Sequence, residues 1–167
     1  MSNINRIVLH CSASEWGTME EIDRWHKERG WRGIGYNIVI SNGVLKPDLK
    51  YIPDFDGLIF EGRKLDFNTY LDGIETGAHA YGFNSSSIGV CLIGDYFFTK
   101  KQFDSLYFFV SLWRRIIPSI EVLGHCDLPD VKKSCPNFDV KHFMDMVSLS
   151  HISLSQRWDD MPINFGG

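Results

Sequence analysis

His10, His125 and Cys135 stand far apart in the chain, yet between them they offer the donor set of a single divalent metal site. His10 ends the apolar run Ile7-Val8-Leu9, and His125 ends the run Ile120-Glu121-Val122-Leu123-Gly124. Cys135 follows on the next loop, directly before Pro136. Neutral imidazole and thiolate both suit zinc, and three protein donors leave a fourth position open. That pattern is catalytic, because a structural site closes with a fourth protein ligand. Scattered His and Cys are weak evidence taken alone, since a free cysteine commonly packs as a small buried hydrophobe.

A histidine at the end of each of two strands, with a thiolate on the following loop, would bring the three donors together. Adjacent strand residues point to opposite faces. Cys11, beside His10, and Cys126, beside His125, are therefore excluded from the site, and Cys91 reads as core. Tyr36 follows Gly33-Ile34-Gly35, whose small side chains leave room above a strand for a phenol to reach reacting groups; the alternative is an aromatic packed in the core. Lys132 and Lys133 precede Cys135 and are chemically equal as point charges.

The elements that must position these residues are visible in the apolar pattern. Runs over 5–10, 34–40, 57–63, 87–94 and 120–124 read as strands. Thr18 with Glu21, and Thr99 with Gln102, form capping boxes that open helices over 19–29 and 100–117. Gly30 stops the first helix and Pro118 the second. Asp139 caps a last helix that runs to 149, with Phe143, Met146 and Val147 inward. The expected fold is a single α/β domain over 1–149, with a central mixed sheet of about five strands flanked by helices. The tail over 150–167 carries Ile152, Leu154, Trp158 and Phe165 and is expected to pack back onto that domain.

Four blocks occur in order: IVLHCSAS at 7–14, GIGYNIVI at 33–40, GAHAYGFNSSSIGVCLIG at 77–94 and GHCDLPDVKKSCPNFD at 124–139. Together they resemble the zinc-dependent N-acetylmuramoyl-L-alanine amidases, a family that includes small phage endolysins and shares its fold with peptidoglycan recognition proteins. The resemblance runs from Asn5 to Phe143. It implies one zinc ion per chain held by His10, His125 and Cys135, with catalytic assistance from Tyr36 and Lys133. It also favours Lys133 over Lys132 by register with Cys135, and places His79 and Asn84 in a segment that lines the substrate groove. Both are expected to contact substrate, although a histidine that merely pins its loop is the alternative. Two segments depart from the short family pattern: the tail, and an insertion over 44–56. One of the turn pairs Asn42-Gly43 or Asp56-Gly57 is expected to form a tight hairpin, with Tyr51, Ile52 and Phe55 packed on the domain or forming a contact surface. Cys126 stands where relatives often carry Arg.

Composition limits the alternatives. A net charge of −4 argues against a general nucleic-acid binder. The N-terminus lacks the basic start and apolar core of a secretory signal, and no apolar stretch reaches the length of a membrane span. The four cysteines are expected to be free thiols apart from any metal thiolate, as in a reducing compartment. The expected function is that of a monomeric endolysin-type amidase. It would accumulate in the host bacterial cytoplasm and cut peptidoglycan, between N-acetylmuramic acid and L-alanine, once the membrane is permeabilised. A cytoplasmic amidase that recycles anhydro-muropeptides is one alternative, but that branch uses Asp where Cys135 stands. A non-catalytic peptidoglycan receptor is the other, and such receptors usually lack the thiolate. Some phage enzymes of the family also bind a phage RNA polymerase, which makes that polymerase a candidate partner.

Overall fold

In the computed structural model, which describes residues 2–149, the chain runs β1 (Ser2–Asn3), β2 (Arg6–Cys11), α1 (Met19–Glu28), β3 (Ile38–Asn42), β4 (Asp56–Glu61), β5 (Tyr70–Leu71), β6 (Ser87–Leu92), α2 (Lys100–Ile116), β7 (Glu121–Gly124) and α3 (Val140–Ser148). Five strands form one mixed sheet in the order β4-β3-β6-β2-β7, and β1 pairs separately with β5. Only the β3–β4 pair in the large sheet is antiparallel. The tail over 150–167 lies outside the described residues. Among the described residues no helix is long and apolar enough to cross a membrane.

A parallel strand covered on both faces carries a near-continuous apolar run rather than an alternating one, and Ile7-Val8-Leu9 of β2 and Val90-Cys91-Leu92 of β6 are such runs. Ile7 and Leu9 on β2, with Ile88, Val90 and Leu92 on β6, face α2 and α3 in a core that holds Phe103, Leu106, Val110, Trp113 and Phe143. The opposite face carries Val39, Cys91 and Ile93, covered by Ile22, Ile34 and the partly buried Trp25 and Tyr36. Of the two expected capping boxes, Thr99 with Gln102 closes in full, whereas at α1 only Thr18 Oγ1 accepts the Glu21 N–H and the Glu21 carboxylate accepts from Arg24 instead. Gln102 reaches further into the core, where its Nε2 donates to the carbonyls of Ile40 and Ile93.

Two local expectations change. The strand expected over 34–40 begins only at Ile38. Its lead-in is irregular because the backbone bonds of 35–37 go to different segments. Gly35 N–H donates to the His26 ring at 3.0 Å, its carbonyl accepts from Ala78 N–H, and the Tyr36 carbonyl accepts from Arg63 N–H. Neither turn pair makes a tight hairpin. Residues 43–55 form one loop between β3 and β4, whose pairing carries a bulge between Ile40 and Asn42. The loop is fastened toward the start of α2: Tyr51 donates to Asp56, Asp56 accepts from Thr99, and Lys101 donates to the Pro53 carbonyl. Tyr51 and Phe55 remain exposed.

His26 couples α1 to the segment that carries Tyr36. It is buried, Trp31 lies against it with ring centroids 4.5 Å apart, and burial pushes its pKa down from 6.5 to about 4. The folded state therefore prefers the neutral ring, while the unfolded chain takes up a proton first as pH falls. His26 favours folding fully above pH 6.5, and this contribution is lost as pH falls toward about 4. His26→Asn keeps an acceptor near Nδ1 and removes the titration. Between pH 7 and 5 the variant should lose about 1–2 kcal/mol less stability than wild type in urea unfolding. Equal losses would contradict this role.

Candidate metal centre

Parallel pairing sets Leu9 of β2 opposite Gly124 of β7. The next residue in each chain segment is a histidine, His10 within β2 and His125 just past the end of β7, and their ring centroids lie 4.6 Å apart. His10 is 2% exposed and shares its sheet face with Val8, which packs with Leu123, Ala80 and Leu128 beneath the site. His125 opens a single 3₁₀ turn over His125–Asp127, fixed by the Asp127 carboxylate accepting the Gly124 N–H at 2.8 Å. The chain then loops away and is brought back by the Cys126 N–H donating to the Cys135 carbonyl at 2.8 Å. This bond returns the Cys135 thiol to the two imidazoles.

One donor atom from each of His10, His125 and Cys135 falls within 4.8 Å of the others. Cys135 Sγ lies 3.8 Å from His10 Nδ1. Tetrahedral zinc, with Zn–S of about 2.3 Å and Zn–N of about 2.1 Å, holds sulfur and nitrogen about 3.6 Å apart. The donors thus fit zinc in type and in spacing. The Cys11 backbone N–H donates to Cys135 Sγ at 3.3 Å, as suits a sulfur that becomes anionic. Neither Cys11 nor Cys126 belongs to the donor cluster. Cys11 stays outside the cluster although its thiol touches that of Cys135, so strand alternation does not carry it away from the site as expected. For Cys126 the reason differs from the one expected, since it lies in the 3₁₀ turn, where its thiol faces Asp127. All four cysteines are free thiols.

Burial holds His10 well below the usual histidine range, helped by the nearby His79, His125 and Lys133. Burial also lowers His125, again with the Lys133 ammonium contributing. Both rings are thereby kept neutral and able to donate a lone pair to a cation. Contact with the Cys11 thiol, then burial, pushes the Cys135 thiol up, so metal binding must displace a proton there.

Tyr36 is half-buried, its ring centroid 5.0 Å from that of His10 and 5.4 Å from that of His26. Burial raises its phenol well above the ordinary value, so it stays protonated as a hydrogen-bond donor. Lys133 is exposed on the loop before Cys135 and, with Lys132, Tyr96 and Cys135, lines a cavity of about 620 Å³. It is the ammonium felt by both His10 and His125. A second cavity, of about 490 Å³, is lined by Trp31, Arg32, Arg63 and Ala78.

His79 and Asn84 are brought near this group but turned inward. The Asn84 side-chain carbonyl accepts the N–H groups of both His79 and Ala80 at 2.8 Å. The His79 ring lies 3.1 Å from His10 through Nδ1···Nε2, and burial lowers its pKa to about 4. Sequence reasoning missed Asn37, which is wholly buried, accepts from Gly89 N–H and donates to the Glu75 carbonyl. An amide interrupting the apolar run Ile34–Ile40 was the available signal.

Residues 1–138 match the family described as N-acetylmuramoyl-L-alanine amidase. The chain is 33% identical over 151 residues to the endolysin of Enterobacteria phage T3, spanning 83% of this chain and 84% of that protein. It is 32% identical over 151 residues to the endolysin of Escherichia phage T7, spanning 83% and 84%. Among solved structures, the endolysin amidase LysCS of Clostridium intestinale URNW superposes with a TM-score of 0.67 at 26% identity, over 86% of this chain and 82% of that one. Drosophila PGRP-LB superposes at 0.63 with 24% identity, over 92% and 85%, a likeness of fold.

Purified protein should carry about one zinc per chain, given three converging donors. His10→Ala and Cys135→Ser should each lose it in elemental analysis after dialysis. Full stoichiometry in both variants would contradict this centre.

Proposed function

We propose, for a chain that belongs to the N-acetylmuramoyl-L-alanine amidase family, a zinc-dependent hydrolysis carried by His10, His125, Cys135, Tyr36 and Lys133. The chain is a peptidoglycan amidase of the phage endolysin type. It hydrolyses the amide between the lactyl group of N-acetylmuramic acid and the L-alanine of the stem peptide. The convergence of two strand-end histidines and one loop thiol is the observation that carries the metal assignment.

Zinc held by those three donors would supply a Lewis acid and a water acidified to near neutrality. The remaining chemistry belongs to the side chains around it. Tyr36 keeps its proton and stands beside His10, so its phenol can hydrogen-bond the attacking water or the scissile carbonyl. The Lys133 ammonium lies at the cavity wall with Cys135, where it can steady negative charge as it develops on the carbonyl oxygen. The second cavity, with Trp31, Arg32 and Arg63, offers further room for an elongated and partly anionic substrate. The enzyme acts on the bacterial cell wall. Its place in infection, on this reading, is the host cytoplasm until the inner membrane is breached, with the chain working as a monomer.

The decisive experiment digests purified sacculi with and without a chelator and identifies the new amino termini by mass spectrometry. Free L-alanine amino termini should appear only without chelator. Tyr36→Phe and Lys133→Ala should retain zinc and fold while kcat falls by roughly 10²–10³-fold. A fully active Lys133→Ala beside an inactive Lys132→Ala would move the oxyanion role by one residue, and new reducing ends in place of amino termini would overturn the amidase reading.

A further inference from the structure

The hydrogen-bonding order behind His10 can be read from its far end. The Ser87 main-chain carbonyl can only accept, and it lies 3.3 Å from His79 Nε2; the Ser87 hydroxyl, 3.5 Å from the same nitrogen, gives its own proton to the Phe83 carbonyl at 2.7 Å. His79 Nε2 therefore carries the proton of the neutral ring, which leaves Nδ1 bare. That bare nitrogen lies 3.1 Å from His10 Nε2, so His10 must donate from Nε2. The remaining lone pair of His10 then sits on Nδ1, the atom that faces Cys135 Sγ at 3.8 Å. Each link permits only one tautomer in the next.

The fold reserves space for this arrangement. A Cβ on Gly89, in β6 opposite Val8, would lie 2.5 Å from His79 Cγ and Cδ2. One on Gly77 would lie 2.7 Å from Cδ2 of the same ring. Any side chain at either position would push the imidazole off His10. Asn84 pins the His79 backbone from outside, and Asn37 pins Gly89 from within the sheet. Two glycines and two side-chain amides, of which Asn37 is wholly buried, thus converge on one ring that has no role in the three-donor cluster.

We propose that His79 is a positioning residue: its bare Nδ1 accepts the His10 Nε2–H and so orients the His10 Nδ1 lone pair for zinc. This rests on the zinc reading given above. Ligand histidines usually donate to a carboxylate, a carbonyl or water. A neutral imidazole in that place adds no second negative charge to a site that already contains the Cys135 thiolate. The acceptor thus fixes ring orientation while leaving the cation's charge for the substrate carbonyl.

The test is zinc affinity, measured by competition with a chromophoric chelator on full-length protein, alongside thermal unfolding of each metal-free form. His79→Leu fills the space without an acceptor, and its affinity should fall about 10–100-fold. His79→Asn places Oδ1 near the position of Nδ1 and should recover affinity to within a few-fold of wild type. In cobalt-substituted protein, the ligand-field bands of His79→Leu should shift while those of His79→Asn stay close to wild type. Unchanged affinity in His79→Leu, or equal loss in both variants, would overturn the acceptor role while leaving the zinc centre standing. Wild-type protein that fails to compete for zinc at all would overturn the centre itself, and this inference with it.

Discussion

The parallel pairing of β2 with β7, at the register that sets Leu9 against Gly124, is the constraint on which the remaining structure depends. It places His10 and His125 side by side at the same end of two neighbouring strands. A slip of one residue would turn His10 to the helix-covered face and expose alternate residues of β2 to the wrong core. Apolar packing on both faces forbids that slip: Ile7 and Leu9 are held against α2 and α3, Val8 against Leu123 and Leu128. The same burial that stabilises the sheet therefore fixes the two imidazoles, and fold and site share one determinant.

The third donor depends on a different device. Cys135 lies on a loop, where strand register has no authority, and it is returned to the site by the bond between Cys126 N–H and its carbonyl. The electrostatics follow from depth. Burial with Lys133 nearby keeps the imidazoles neutral, while the thiol supplies the only donor able to become anionic in the cluster. Tyr36 and Lys133 then differ by exposure: the phenol stays protonated in a half-buried position, and the ammonium stands at an open cavity.

Much of this was legible in the sequence because strands and caps write themselves locally. Ile7-Val8-Leu9-His10 and Ile120–His125 announce strands that end in donors, and the Thr99–Gln102 box marks where α2 begins. Less legible was anything decided by long-range bonds. The lead-in to β3 looks like strand in its residues, yet its hydrogen bonds go to α1, to Ala78 and to Arg63. The loop over 43–55 looks like a hairpin with surplus residues, but ties between Asp56, Thr99 and Tyr51 settle its course. His79 stood out as a histidine in a groove segment; which way its ring turns depends on Gly89, a glycine inside an apolar strand. Such a glycine is a recognised signal of close approach by another group, although it does not name the group.

X-ray absorption at the zinc edge of the loaded protein counts the metal's donors by element and distance. One sulfur at about 2.3 Å and two nitrogens at about 2.0–2.1 Å, with one further light atom, is the shell expected from His10, His125 and Cys135. A shell without sulfur, or one with two or more sulfurs, would contradict the centre built here.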